Sequence, residues 1–401
     1  MEKYYLKSLI GEIAKGITKL IEQNVIQNDK SVILYGLDRY AYAMRTILSN
    51  LGFHNIECYI SDDEAAVIAL NQEIKNFACR YLNHTEDLIE AVTIEERLGT
   101  FTNDVKILIA SQSYEQEKEK LEKLGYQENI HFYKVYDFAC EEIDSMFLNK
   151  SKMQLKEIQE VGKELLSYVD AICTKNHLRY WVCGGTLLGT IRHKGFIPWD
   201  DDVDIFLPWQ DYKRFVEIFE EDDHYSMLGL GVYETNNFCD MFAKVVDKRT
   251  LLWEDMGTVK KVNPLGLDVF PLIGFPSDDK ERHLLFIRYQ EIKRSIWQDF
   301  YASNGDLGIF SEWSKRQKEF LDRYDFDNSQ YVGVIGTEYG ERDCTGRGVY
   351  DETLRMPFED IEVNVPVGYE EYLNNLYGKD WGKLPDESKR KSHHNTGVYW
   401  L

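Results

Sequence analysis

Between residues 180 and 207 the chain sets a glycine pair, Gly184-Gly185, shortly ahead of four carboxylates, Asp200, Asp201, Asp202 and Asp204. The last two alternate with apolar residues in Asp202-Val203-Asp204-Ile205. Successive side chains of a strand point to opposite faces, so Asp202 and Asp204 share one face. Two carboxylates on one face offer hard oxygen ligands to a divalent cation, and backbone amides at a helix start hold an anion such as phosphate. Each half alone has a blander reading: acid runs are usually solvated turns, and a glycine pair usually marks a loop. Here both lie between apolar segments, Tyr180-Trp181-Val182-Cys183 and Ile205-Phe206-Leu207, which suit buried strands rather than a surface acid run. The stretch predicts strand, glycine turn, short helix, acidic loop, strand, with a chemical site at its centre.

A further acid lies in Gly266-Leu267-Asp268-Val269-Phe270-Pro271-Leu272-Ile273. Asp268 sits inside an apolar run that reads as a strand and should be buried. Burial of a lone carboxylate is expensive, so such a group is usually paired, capping a turn, or on a metal. Beside Asp202 and Asp204, the metal reading is preferred.

The remainder of the chain frames this site. With 401 residues, two or three domains are expected. Residues 1–28 read as an amphipathic helix, and Ser31–Gly36, Asn55–Ile60, Lys106–Ser111 and His131–Tyr136 read as strands. Helices over 38–51 and 113–124 alternate with them. This predicts an N-terminal α/β domain over 1–145, Rossmann-like, with a parallel sheet. Its first turn, Gly36-Leu37-Asp38-Arg39-Tyr40-Ala41, lacks the GxGxxG fingerprint, and Asp38 brings negative charge where a pyrophosphate would sit. A docking or scaffolding role without NAD(P) is therefore expected there. A second domain, 146–401, begins with a helical pattern over 146–178 and carries the motif. Helices are expected over 209–221, 279–302, 311–324 and near Tyr369 to Tyr377, and strands over 240–247 and 266–273.

Charge and cysteine usage narrow the partners. The chain has 47 basic and 69 acidic residues, a net of −22, and such a field repels nucleic acid. Seven scattered cysteines form no CxxC pair, which fits free thiols in a reducing cytoplasm. No run approaches the ~20 apolar residues of a membrane span, and the start has no signal-peptide pattern. A cytoplasmic protein is expected, with peripheral membrane contact still open.

Three strand-borne acids after a paired-glycine turn resemble the nucleotidyltransferase superfamily. More narrowly, Gly184–Gly189, Arg192–Asp204 and Asp211-Tyr212 resemble the LicD family, which includes the fukutin-related transferases. The resemblance continues in Leu267–Leu272, Met356–Asp360, Val365-Pro366, Tyr369 and Tyr377–Trp381, and covers about 155–385. It implies an α+β nucleotidyltransferase-fold catalytic domain with helical additions. It also implies transfer of a phospho-alcohol, typically phosphocholine from CDP-choline, to a sugar hydroxyl of a glycan or lipid-linked oligosaccharide. On that resemblance Asp202, Asp204 and Asp268 hold Mg²⁺ (or Mn²⁺) against the donor, with Asp200 as a nearby acid.

The residue chemistry is consistent with that implication, because phosphoryl transfer needs positioning and charge neutralisation more than covalent work. Gly184, Gly185 and Thr186 would cradle phosphate. Arg192, Lys194 and Lys244 would offset anionic charge, although exposed basic groups are as often merely solvated. Asp268 or Asp200 could accept the proton of the acceptor hydroxyl; His193 is a weaker base candidate. Choline, a quaternary ammonium, favours aromatic faces, and Trp199 beside the acids is the foremost candidate. Two other readings stay open: transfer of a nucleoside monophosphate to a small molecule, and non-catalytic binding of a nucleotide or carbohydrate.

Overall fold

The computed structural model describes residues 5–81, 89–98, 106–137, 146–232, 242–255, 259–337, 339–390, 392 and 397–401. Asp240 and Met241, the start of the strand expected over 240–247, fall outside them, as do Cys140 and Cys239.

The parallel sheet expected in the first half is present. Its strands are β2 (Val32–Tyr35), β3 (Ile56–Ser61), β4 (Ala91–Thr93), β5 (Lys106–Ile109) and β6 (Phe132–Lys134), ordered β4-β3-β2-β5-β6, with every pair parallel. The chain reverses its direction of winding between β2 and β5. Helices Leu9–Glu22 and Arg39–Asn50 bury one side of the sheet with Val32, Leu34 and Leu108, while Tyr114 and Leu121 of helix Tyr114–Lys123 cover Ile33, Ile60 and Ile107 on the other. Period-two alternation in the strands thus feeds two cores.

The turn after β2 explains the missing fingerprint physically. Gly36 has φ +106°, and Asp38 caps the following helix, accepting from the amides of Tyr40 and Ala41 at 3.0 and 3.1 Å. A carboxylate already fills the position where a helix start would hold phosphate. Calorimetry of the full chain with NAD⁺ and NADPH is therefore expected to give no binding; micromolar affinity for either would overturn this.

The expected first helix is shorter than its pattern. Tyr5–Ser8 forms a strand, β1, and Ser8 caps the helix from Leu9, its hydroxyl accepting from Gly11 N at 2.9 Å. The 3.6-residue pattern was extended back through Leu6 because strand pairing to a distant partner leaves no local signal. That partner is β12 (Val259–Asn263), in a four-stranded antiparallel sheet β1-β12-β11-β18 with β11 (Thr250–Asp255) and β18 (Val398–Trp400). Helices Asp279–Ala302 and Ile309–Leu321 also reach the first half: Ile296, Phe300, Phe310 and Trp313 share a core with Leu9, Ile13 and Met44.

The second half is built on a mixed sheet. β7 (Trp181–Val182) pairs antiparallel with β8 (Asp204–Pro208), and β8 runs parallel to the long β13 (Gly266–Phe275). The other side of β13 is taken by β10 (Ala243–Asp247), then β9 (Tyr225–Gly229), and its far end by β14 (Tyr331–Gly333) and β15 (Thr345–Gly346). Helix Leu155–Lys175 backs this sheet through Val161, Leu165, Leu166 and Val169, which repeat at helical spacing. A hairpin, β16 (Thr353–Phe358) with β17 (Ile361–Pro366), precedes helix Tyr369–Tyr377. Among the described residues, no helix is long and apolar enough to cross a membrane.

Candidate active site

Strand register assembles the acids. Asp204, the first residue of β8, lies directly opposite Asp268 of β13, and Asp268 lies opposite Lys244 of β10. Three adjacent strands therefore present Asp204, Asp268 and Lys244 in one row. Lys244 Nζ is 2.8 Å from Asp268 Oδ1. Asp202 lies just before β8 and shares the cavity with Asp204, as its period-two spacing predicts.

The glycine pair sets the wall facing this row. Helix Gly184–His193 begins immediately after β7, and its cap, Cys183, is extended. Gly184 has φ +52°, and a Cβ there would meet Asp204 Oδ2 at 3.3 Å. A Cβ on Gly185 would lie 2.7 Å from Asp200 Oδ2. The pair is required because backbone and carboxylates approach too closely for any side chain. Thr186 is buried, and its hydroxyl accepts from the amide of Asp204 at 2.9 Å, which fixes the start of β8 against the helix. The Gly184 amide donates to the Tyr372 hydroxyl at 3.3 Å.

These groups line a cavity of about 320 Å³. The lining includes Cys183, Gly184, Asp202, Asp204 and Asp268, together with Gly336, Thr337, Tyr339 and Asp343. Phe206, Phe242, Phe270 and Tyr372 complete it. Phe242 and Phe270 are tilted against each other at 4.4 Å between centroids, and the Lys244 ammonium lies 5.4 Å from the Phe242 centroid. Asp343 is 1% exposed and bonded to the Thr337 hydroxyl. Sequence reasoning did not find Asp343, Tyr339 or Phe242. Asp343 and Tyr339 reach the cavity through the return of the chain after β14, and Phe242 reaches it from just before β10, beside β13.

Other sequence candidates lie elsewhere. Arg192 Nη1 donates to the carbonyls of Trp381 and Lys383 at 2.9 and 3.1 Å, tying the helix end to the C-terminal segment. Lys194 is exposed, in a left-handed cap with φ +62°, and lines a separate surface groove with Lys156, Lys163 and Asp360. The Arg390 guanidinium sits 5.3 Å from the Trp199 ring centroid, and Trp199 does not line the acid cavity. His193 is half-buried, its pKa lowered by burial and by neighbouring Arg192.

Electrostatics show a cluster short of positive charge. Burial and the charges of Asp202, Asp268 and Asp200 hold the Asp204 carboxyl well above the usual range, with Lys244 opposing. Asp200, 7% exposed, is pushed up to about 9 by burial, then by the charge of Asp202 and a hydrogen bond shared with it. Burial, followed by the nearby Asp204 and Asp343 charges, also raises the Cys183 thiol, so it is no thiolate nucleophile. A carboxyl whose folded pKa is raised stabilises the fold while protonated, and that contribution fades as pH climbs through the folded value. The chelator-treated protein is therefore expected to lose melting temperature between pH 6 and pH 9, and Asp200→Asn to lose distinctly less. Equal slopes for both proteins would show that Asp200 is not the source.

Residues 177–273, which contain the whole acid row, match the family described as LicD/FKTN/FKRP, nucleotidyltransferase domain. Over 273 residues, 62% of this chain and 99% of the relative, the protein is 30% identical to the lipopolysaccharide cholinephosphotransferase LicD of Haemophilus influenzae. A stretch of 49 residues, 12% of this chain and 10% of the relative, is 43% identical to the ribitol 5-phosphate transferase FKRP of Homo sapiens. The protein belongs to the LicD family.

Proposed function

We propose that this protein transfers a phospho-alcohol, phosphocholine foremost, from a CDP-linked donor to a sugar hydroxyl of a cell-surface glycan precursor on the cytoplasmic side. The catalytic half is read as a nucleotidyltransferase fold and the N-terminal half as a Rossmann-like accessory domain. The observation that carries this reading is the register pairing of Asp204 with Asp268, with Asp202 in the same cavity, facing the start of a helix after a glycine pair. Support also comes from the relatives named above, one a cholinephosphotransferase and one a ribitol 5-phosphate transferase.

A divalent cation, Mg²⁺ or Mn²⁺, fits this chemistry. Hard cations take carboxylate oxygens, and Asp202, Asp204 and Asp268 are the residues that would hold it. Among the described residues, no three acid, histidine or cysteine side chains form a ready-made cage. Mg²⁺ keeps waters and takes part of its shell from substrate phosphates, so Asp202, Asp204 and Asp268 would hold it together with the donor. When bound, the cation supplies charge neutralisation at the donor pyrophosphate.

The chain's own groups do the rest. Backbone at Gly184 and Gly185 brings the helix start against the anionic donor. Lys244, already seated between Asp268 and the Phe242 ring, contributes positive charge to the same row. The acceptor proton passes to a carboxylate, Asp268 or, when a bound cation keeps it ionised, Asp200. Displacement at the phosphorus bearing the alcohol releases CMP.

Melting curves with Mg²⁺ and CDP-choline, CDP-ethanolamine, CDP-glycerol or CDP-ribitol test the donor, because a ligand of the native state raises the midpoint by mass action. Product analysis with a glycan acceptor then tests the reaction. CMP release is expected. Pyrophosphate release from a nucleoside triphosphate would instead mean nucleotidyl transfer, and saturable binding without turnover a binding protein.

Aromatic placement gives a prediction about choline. Phe270 faces the cavity, whereas Trp199 carries Arg390 on its ring. Phe270→Ala is expected to weaken CDP-choline far more than CDP-glycerol, by about thirtyfold if a desolvated cation–π contact of roughly 2 kcal/mol is lost. Trp199→Ala should affect both donors alike. Competition binding with the two donors decides; a choline-selective loss in Trp199→Ala would return the cage to that residue.

A further inference from the structure

We infer that the crevice at the carboxyl ends of β3, β2 and β5 binds a small molecule through a primary ammonium group, at a site separate from the acid cavity. Three observations converge there. The first is position. The strand order β4-β3-β2-β5-β6 reverses between β2 and β5, and open α/β sheets bind ligands outside the carboxyl ends of the strands at that switch point.

The second is a pair of orphaned oxygens. Tyr35 is the last residue of β2 and only 2% exposed, yet among the described residues its hydroxyl has no hydrogen-bond partner. It lies on the side of the sheet that carries Ile33, under helix 114–123. On that helix Glu117 falls three residues after Tyr114 and four before Leu121, both buried, so it shares the face turned to the sheet. Glu117 Oε1 accepts from the Ser111 hydroxyl at 2.7 Å, just beyond β5, while Oε2 is buried with no partner among the described residues. Buried polar groups are nearly always bonded, and two orphans close enough for the Glu117 charge to act on the Tyr35 phenol point to a missing ligand.

The third is charge. Asp62, immediately after β3, is paired with Lys120 of the same helix, and Asp38 is exposed at the mouth. Lys120 is one cation against Asp38, Asp62 and Glu117; Arg39 is exposed, over the Tyr40 ring. The groups sense each other: burial, then Asp62 and Glu117, raises the Tyr35 phenol, and burial, with Asp38 and Asp62 behind it, raises Glu117.

These facts select the ligand's chemistry. Phosphate is excluded by the net negative charge and by Asp38 on the helix-start amides. A neutral polyol would satisfy the orphans and leave the charge. A primary ammonium brings three donors, enough for both oxygens, and offsets the charge. A quaternary ammonium has no N–H to give.

Calorimetry of the full chain with ethanolamine tests this, with ethylene glycol and tetramethylammonium as comparators. Saturable ethanolamine binding is expected, with each comparator at least tenfold weaker. Tyr35→Phe and Glu117→Gln should each weaken ethanolamine at least tenfold, and Asp204→Asn should bind it as the native chain does. Tyr35→Phe should also melt higher without ligand, because an unsatisfied hydroxyl is gone, which confirms that its loss of binding is not unfolding. The inference is overturned by an absence of saturable ethanolamine binding, by equal binding of ethylene glycol, by both crevice variants binding normally, or by a loss confined to Asp204→Asn.

Discussion

Asp204→Asn is expected to lower turnover on the order of 10³-fold, the equivalent of about 4 kcal/mol of transition-state stabilisation, while leaving the fold intact. Asparagine keeps the shape of the side chain. The amide of residue 204 still donates to the Thr186 hydroxyl, and the pairing of β8 with β13 is unchanged. What disappears is one negative charge from a cluster where burial and neighbouring acids already hold that carboxyl above its ordinary range. The variant should therefore melt no lower than the native protein, and higher in the absence of divalent cations. Activity assays with saturating Mg²⁺, beside melting curves with and without chelator, check both halves. Near-native turnover would sink the assignment of Asp204 to the cation. Inactivity with a collapsed melting point would mean the residue is structural.

Lys244→Met should have the second largest effect and should depend on metal. The ammonium is the cation of the acid row, 2.8 Å from Asp268 and buried, with only 8% of the residue exposed. Removing one partner of a buried pair typically costs about 3–5 kcal/mol, because the other charge is left uncompensated. Methionine fills most of the same volume, so packing is largely kept. Without divalent cations the variant should melt several degrees lower than the native chain. Mg²⁺ should restore much of that loss, since a cation at Asp268 supplies the missing charge. Turnover should stay low even so, because the lysine's own charge toward the donor is gone. If Mg²⁺ protects the variant no more than the native chain, Asp268 is not a cation ligand.

Much of the site was legible because it is local. Asp202-Val203-Asp204 carries its geometry in its spacing, and the structure brings both acids to one cavity. The glycine pair was legible for the same reason: a Cβ on Gly185 would lie 2.7 Å from the Asp200 carboxylate, so nothing larger fits. Asp268 was readable as an acid in an apolar run, but its partner was not. That it faces Asp204 on one side and Lys244 on the other is a property of strand register. Arg192 and Trp199 show where local pattern stops carrying information. Both belong to the motif by position, yet one holds the carbonyls of Trp381 and Lys383, and the other is covered by Arg390. Residue type and spacing say that a guanidinium or an indole is near a site; they do not say which neighbour it meets first.

The sequence by itself determined the periodicities, and through them the parallel strands of the first half, the helices behind the motif and the shared face of Asp202 and Asp204. These depend on backbone geometry that repeats over a few residues, so a few residues carry the signal. Only the tertiary structure decided that β1 crosses to β12, that Asp343 and Tyr339 line the cavity, and that the Glu117 charge acts on the Tyr35 phenol. Each of those joins residues far apart in the chain. The free energy of such contacts comes from burial and charge gathered from several elements at once, and no local stretch of sequence records it.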